Sequence, residues 1–275
     1  MIRLVATDVD GTLVKDGSHV LDPAYYDMIR RLRRKGVYVC VCSGRQYHSI
    51  HHLFAPVAGE LFFLAENGTL VRTEEKILQT WPIDPDYYIP LIRDIRKIDG
   101  AAAVVCSPRI ARVEAGENSE VYRFLKEGYS YMLENIPDLT TIPSGEVLKL
   151  SVYHERAEKG LLPLTSSHWA DDLALEPSGV VWLDICPRHA SKGNALSFLQ
   201  DHLGIRKEET LYFGDNINDL SAFAQAGLKG TVSNARREVR EAADFVGDSY
   251  ENLGVLKELQ RIFAPVFTES KSKNS

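Results

Sequence analysis

The chain has 275 residues, with 32 Lys plus Arg against 38 Asp plus Glu and a formal net charge of −6. Apolar residues make up 44% and charged residues 25%, enough apolar surface to offset the ordering entropy that keeps polar chains unfolded. The acidic balance argues against broad electrostatic capture of nucleic acid or anionic lipid, and a chain of this length buries roughly three quarters of its unfolded surface, in one large domain or two moderate ones.

The apolar stretch before Asp8 is too short for a secretory signal, and no run approaches the roughly 20 apolar residues of a membrane span, so the protein is expected in the cytoplasm. The four Cys fit that compartment. Cys40 and Cys42 would share one face of a strand with parallel side chains, a poor geometry for a disulfide.

Residues 2–7 are a β-branched apolar run, the pattern of a strand buried on both faces. A helix follows from Asp22-Pro23 to Gly36, with Asp22 as N-cap and Tyr25, Met28, Ile29 and Leu32 on one buried face. Its basic end (Arg30, Arg31, Arg33, Arg34, Lys35) reads as a solvated face favoured by the helix dipole. VYVCVC (37–42) is a second buried strand, SGR opens a helix, and LFFLAENG (61–68) is a third strand and turn. His48, His51 and His52 on that helix read as a solvated or partly packed face. Strand and helix alternate throughout, the pattern of a parallel sheet with right-handed crossovers.

The middle of the chain differs. From residue 82 to 185 the expected elements are helices Asp86–Lys97 and Glu120–Asn135 and strands Ala102–Cys106, Ile110–Glu114, Leu148–His154 and Val180–Ile185. Strands in nearby pairs point to an inserted α+β unit with an antiparallel sheet. Alternation then returns: helix Ser191–Leu203, strand 210–213, helix Asn218–Ala226, strand 230–233, helix Arg236–Ala243, a short strand DFVG, and helix Asn252–Phe263. The polar end TESKSKNS is expected to fray.

The chemistry-bearing residues cluster at the ends of these strands. Asp8-Val9-Asp10-Gly11-Thr12 puts two carboxylates past the first strand, where open α/β sheets hold their ligands. Ser43-Gly44-Arg45 offers a hydroxyl and backbone N–H groups at a helix start, a natural phosphate cradle. Lys192 opens a helix, where the dipole disfavours a cation unless an anion sits beside it. Gly214-Asp215-Asn216-Ile217-Asn218-Asp219 follows another strand. It is no EF-hand loop, because apolar Ile217 would fill a ligand position, but its carboxylates could complete a Mg²⁺ site of oxygen ligands.

In this order DVDGT (8–12), Ser43, Lys192 and GDNINDL (214–220) resemble the four motifs of the haloacid dehalogenase superfamily of aspartate-dependent phosphatases. The resemblance is greatest to its Cof-type subclass IIB, which carries a large α/β cap between the second and third motifs, and it extends to ENG (66–68) and SNARREVREAADFV (233–246). It implies a doubly wound, Rossmann-like parallel-sheet core (1–81 and 186–275) with an inserted α+β cap (82–185). Asp8 would be the nucleophile that becomes an aspartyl phosphate, and Asp10 the general acid and base. Mg²⁺ would be held by Asp8, the main-chain carbonyl of Asp10 and Asp215, with Asp219 nearby. Thr12, Ser43, Gly44, Lys192 and Asn218 would serve the phosphate, with Gly11 and Thr12 fixing the turn. Arg45 and Asn67 would meet the substrate. The implied substrate is a small phosphate ester such as a sugar phosphate, with no nucleic acid or membrane partner and the oligomeric state open. A phosphomutase is the alternative enzyme. A non-catalytic phosphosugar-binding regulator would be favoured by loss of Asp8 or Asp10, and both are present.

Overall fold

The first strand, β1 (Leu4–Asp8), is buried at every position, as its β-branched run requires. The structure, a computed structural model, describes residues 1–128, 131–178 and 180–268. With β1, strands β2 (Tyr38–Cys42), β3 (Leu61–Ala65), β4 (Leu70–Arg72) and β5 (Ile77–Thr80) build one half of a large sheet. A second sheet follows from β6 (Ala102–Cys106), β7 (Ala111–Val113), β8 (Leu133–Asn135), β9 (Lys149–Tyr153), β10 (Leu173–Pro177) and β11 (Trp182–Pro187). The chain then returns to the first sheet with β12 (Thr210–Phe213), β13 (Leu228–Val232) and β14 (Phe245–Gly247).

The first sheet has the order β14-β13-β12-β1-β2-β3-β4-β5, parallel from β14 to β3. β4 and β5 extend it antiparallel, a hairpin the sequence pattern did not single out. The order reverses direction between β1 and β12, which is the switch point where doubly wound sheets bind ligands. The inserted sheet runs β10-β11-β9-β6-β7-β8 and is antiparallel except for the β7–β8 pair.

Local signals act as their chemistry dictates. Helix Pro23–Arg34 starts where the Asp22 carboxylate accepts from the Ala24 N–H at 2.9 Å, and it buries Tyr25, Met28, Ile29 and Leu32 against the sheet. The apolar side chains of the two sheets form separate clusters, one around β1 and β2, two others within the insert. All four Cys are buried free thiols, and burial pushes the Cys40 thiol well up.

The expected helix Glu120–Asn135 is a correction. Only Glu120–Arg123 is α-helical, and it relaxes into a wider turn over Phe124–Gly128. The chain then pairs as β8, with the Met132 carbonyl accepting from the Ala111 N–H at 2.9 Å. Residues 129–130 lie outside the described residues. The expected helix Asn218–Ala226 is also shorter: a 3₁₀ turn, Ile217–Asp219, precedes helix Leu220–Phe223, because Asn216 and Asp219 cap the loop with their side chains. The last helix starts at Gly254 and reaches Thr268, so most of the tail expected to fray lies outside the described residues.

Candidate active site

Asp8 ends β1, and its register partner Cys42 ends β2 beside it. The turn that follows is held by Gly11 N–H donating to the Val14 carbonyl at 2.8 Å. Gly11 sits at φ 76°, and a Cβ there would lie 2.3 Å from Asp215 Oδ2. The strand-end carboxylates of β1 and β12 therefore approach each other through a position that only glycine fits.

Asp8, Asp215 and Asp219 each present a carboxylate oxygen within 4.8 Å of the others. Lys192, the first residue of helix Lys192–Leu203, inserts its ammonium among them. It donates to Asp8 Oδ1 at 2.5 Å and to Asp219 Oδ1 at 2.7 Å. Lys192 is buried, which alone would disfavour its charge, but Asp219 and Asp8 outweigh that and hold it protonated. Burial pushes Asp8 well above the usual carboxylate range, opposed by Lys192 and reinforced by Asp219, Asp215 and Asp10. Asp215 is pushed up to about 6 by burial and by Asp219. Such like-charge crowding stores a demand for positive charge. The cluster offers oxygen donors alone, the set a hard divalent cation such as Mg²⁺ prefers.

Asp219 is the most constrained of the three. Its Oδ1 also accepts from Tyr212 Oη at 2.8 Å, and its Oδ2 accepts from the N–H groups of Asp215 and Asn216 at 3.0 Å each. It folds the loop and anchors Lys192, leaving Asp8 and Asp215 better placed toward the cavity.

Asp10 also lines the cavity, beside Arg45. Arg45 grips both its oxygens, through Nε to Oδ2 at 2.7 Å and through Nη2 to Oδ1, and also donates Nη1 to the Ser18 carbonyl at 2.8 Å. Arg45 lines the cavity, with its guanidinium committed to Asp10 and the Ser18 carbonyl.

Two of the residues expected at the phosphate are buried and make contacts within the protein. Thr12 is fully buried, and its hydroxyl donates to Asp215 Oδ1 at 2.8 Å, so it holds a carboxylate. Ser43 is buried behind Gly44, its Oγ accepting from the Arg45 N–H at 3.0 Å. Thr12 is committed to a carboxylate of the neighbouring loop, and Ser43 to its own turn. Gly44, Lys192 and Asn218 do line the cavity, as does Asn67. Asn67 Nδ2 donates to Asp184 Oδ2 at 3.0 Å, and Asn218 Oδ1 is buried with no hydrogen-bond partner among the described residues.

The cavity measures about 910 Å³ and lies between the sheets. The first sheet contributes a charged floor, and the insert contributes Lys149, Ser151, Trp182 and Asp184. Sequence reasoning did not find Lys149, Glu66 or Asp184. The available signal was a charged residue inside an apolar strand run, LKLSVY for Lys149 and VVWLDIC for Asp184.

The family model for haloacid dehalogenase-like hydrolases matches residues 5–259. The chain belongs to that family. Among its relatives, the 5-amino-6-(5-phospho-D-ribitylamino)uracil phosphatase YbjI of Escherichia coli is 26% identical, over 95% of this chain and 96% of its own. Phosphatase YwpJ of Bacillus subtilis is 25% identical over 92% and 97%. A crystal structure from Eubacterium rectale superposes with a TM-score of 0.88 at 36% identity, covering 95% of this chain and 99% of that one. The subclass IIB sugar phosphatase BT4131 shares the fold, with a TM-score of 0.80 at 18% identity over 94% and 98%. As a haloacid dehalogenase-like hydrolase, the chain is an enzyme of the phosphatase class. None of its described helices is long and apolar enough to cross a membrane.

Proposed function

We propose that the protein is a Mg²⁺-dependent phosphatase of small phosphorylated metabolites, sugar phosphates among them, working through an aspartyl phosphate on Asp8. The observation that carries this reading is the meeting of Asp8, Lys192, Asp215 and Asp219 at one end of β1 and β12, on the floor of a cavity sized for a small molecule. Asp8, the Asp10 carbonyl and Asp215 would hold the ion, with Asp219 behind them. When bound, Mg²⁺ offsets the repulsion between a carboxylate nucleophile and an anionic ester.

The chain's own groups do the rest. An Asp8 oxygen attacks phosphorus, and the ester oxygen leaves with a proton from Asp10. Asp10 then takes a proton from the water that hydrolyses the acyl phosphate, acid and base help typically worth about 10²–10⁴ in rate. Lys192, the Gly44 N–H and Asn218 bind phosphoryl oxygens as charge redistributes. Residues 82–185 serve as a cap domain that excludes bulk water and reads the leaving group, with 1–81 and 186–275 as the catalytic core.

Release of phosphate from p-nitrophenyl phosphate tests this. Wild type should turn over only with Mg²⁺, and Asp8→Asn should lose activity by at least about 10³-fold. Turnover indifferent to both metal and Asp8 would overturn the assignment. A panel of sugar phosphates then identifies the leaving group.

A further inference from the structure

Lys149 opens β9 in the insert, yet its ammonium ends against the first sheet's loops. Nζ donates to the Gly44 carbonyl at 2.8 Å and pairs with Glu66 at 2.9 Å and Asp184 at 3.3 Å. Lys149, Glu66 and Asp184 are all buried. Burial alone would strip the proton from Lys149, but Asp184 and Glu66 hold it charged. The Asp184 carboxylate is further satisfied by Ser151 Oγ at 2.6 Å and Asn67 Nδ2 at 3.0 Å. Glu66 has no other partner of opposite charge among the described residues.

The backbone around Glu66 is strained. Glu66 and Asn67 adopt φ 52° and 57°, the left-handed region that non-glycine residues avoid, and Gly68 follows at φ 91°. A Cβ on Gly68 would lie 2.4 Å from the Ser191 carbonyl, so the same turn presses on the start of the Lys192 helix. One turn thus touches the loop 43–45, the Lys192 helix and the insert.

We propose that Lys149 is a positioning residue for the loop 43–45. It pins the carbonyl end of the Gly44–Arg45 peptide from the insert, while Ser43 Oγ accepts at the N–H end, and this fixes the direction from which Arg45 grips Asp10. The inference rests on the phosphatase reading for its kinetic consequence and on geometry alone for the pinning. Because Lys149 belongs to the insert, the loop is ordered when insert and core are together. A bare charge-balancing role for Lys149 is the competing account, and the two differ in what a second substitution repairs.

The test uses the full chain with Mg²⁺ and p-nitrophenyl phosphate, comparing Lys149→Met with the double variant Lys149→Met/Glu66→Gln. The single variant leaves two carboxylates buried against no cation and is expected to melt earlier. The double variant removes one of those charges and should recover most of the melting temperature. Its kcat should nevertheless stay about 10- to 100-fold below wild type with KM little changed, the scale of loss expected when a catalytic group is misplaced by about an ångström. Backbone amide hydrogen exchange at Arg45 should be faster in the double variant than in wild type. A double variant with wild-type kcat, with a loss confined to KM, or with wild-type exchange at Arg45 overturns the proposal. If wild type shows no phosphatase turnover, the phosphatase reading falls by itself, and the exchange measurement alone decides whether Lys149 pins the loop.

Discussion

Gly11 carries two demands that no other residue meets together. Its φ of 76° costs an L side chain about 1–2 kcal/mol, and its missing Cβ leaves room for Asp215 Oδ2, which would otherwise lie 2.3 Å away. Gly11→Ala should therefore do more than strain a turn. The methyl group displaces Asp215, and with it the Thr12 hydroxyl that donates to that carboxylate. The expected outcome is a lower melting temperature together with a Mg²⁺ concentration for half-maximal turnover raised about tenfold, a coupling of roughly 1.4 kcal/mol. Titrating activity against Mg²⁺ checks it: an unchanged midpoint would mean that Asp215 is not held where the ion binds. The crowding that raises Asp8 and Asp215 has the same origin, since three carboxylates share one Lys192 in a buried place.

At the scale of elements, the site depends on how closely helix Lys192–Leu203 approaches helix Leu220–Phe223. Gly193 is the contact point: a Cβ there would lie 2.3 Å from the Ser221 carbonyl, and the Gly193 N–H donates to Ser221 Oγ at 3.1 Å. The obstacle is backbone, which cannot rotate away, so Gly193→Ala should cost about 1–3 kcal/mol and lower Tm by roughly 3–10 °C. It should also lower kcat, because the shifted helix carries Lys192 away from Asp8. Calorimetry with a phosphate-release assay reads both, and a stable variant of full activity would show the two helices to be looser than their geometry implies. None of this spacing is visible in SKGN alone. What was legible were β1, β2, β3 and β12, because strands buried on both faces need uninterrupted apolar runs, and the motifs, because they fall where those runs stop. β8 was not legible, since an exposed edge strand is defined by its pairing to Ala111–Val113 more than by its own residues. The inward withdrawal of Thr12 and Ser43 was hidden for a like reason: a hydroxyl's partner is chosen by tertiary structure.

For the whole molecule, the two sheets keep largely separate apolar clusters, Leu148 being the insert's residue within the first, and a row of polar groups bridges them. Gln46 at the first sheet reads the main chain of the insert twice, donating Nε2 to the Met132 carbonyl at 3.1 Å and accepting from the Met132 N–H at 2.9 Å. His19 meets the Gly128 carbonyl at 3.0 Å, and Asn67 and Lys149 complete the seam. Polar seams of this kind open and close more readily than apolar ones. Two hydrogen bonds at a typical net worth of about 1 kcal/mol each set the scale of what one side chain adds to closure. With residues 82–185 acting as the cap proposed above, Gln46→Ala should favour its open arrangement by roughly that amount, and a smaller closed fraction lowers apparent affinity in proportion. KM for a phosphate ester should then rise by roughly 30-fold, while the melting temperature holds within a few degrees because neither apolar cluster loses a side chain. Steady-state kinetics beside a thermal melt separates these effects. A melting temperature that falls steeply with KM unchanged would place Gln46 in folding, and closure would have to rest on the remaining contacts of the seam.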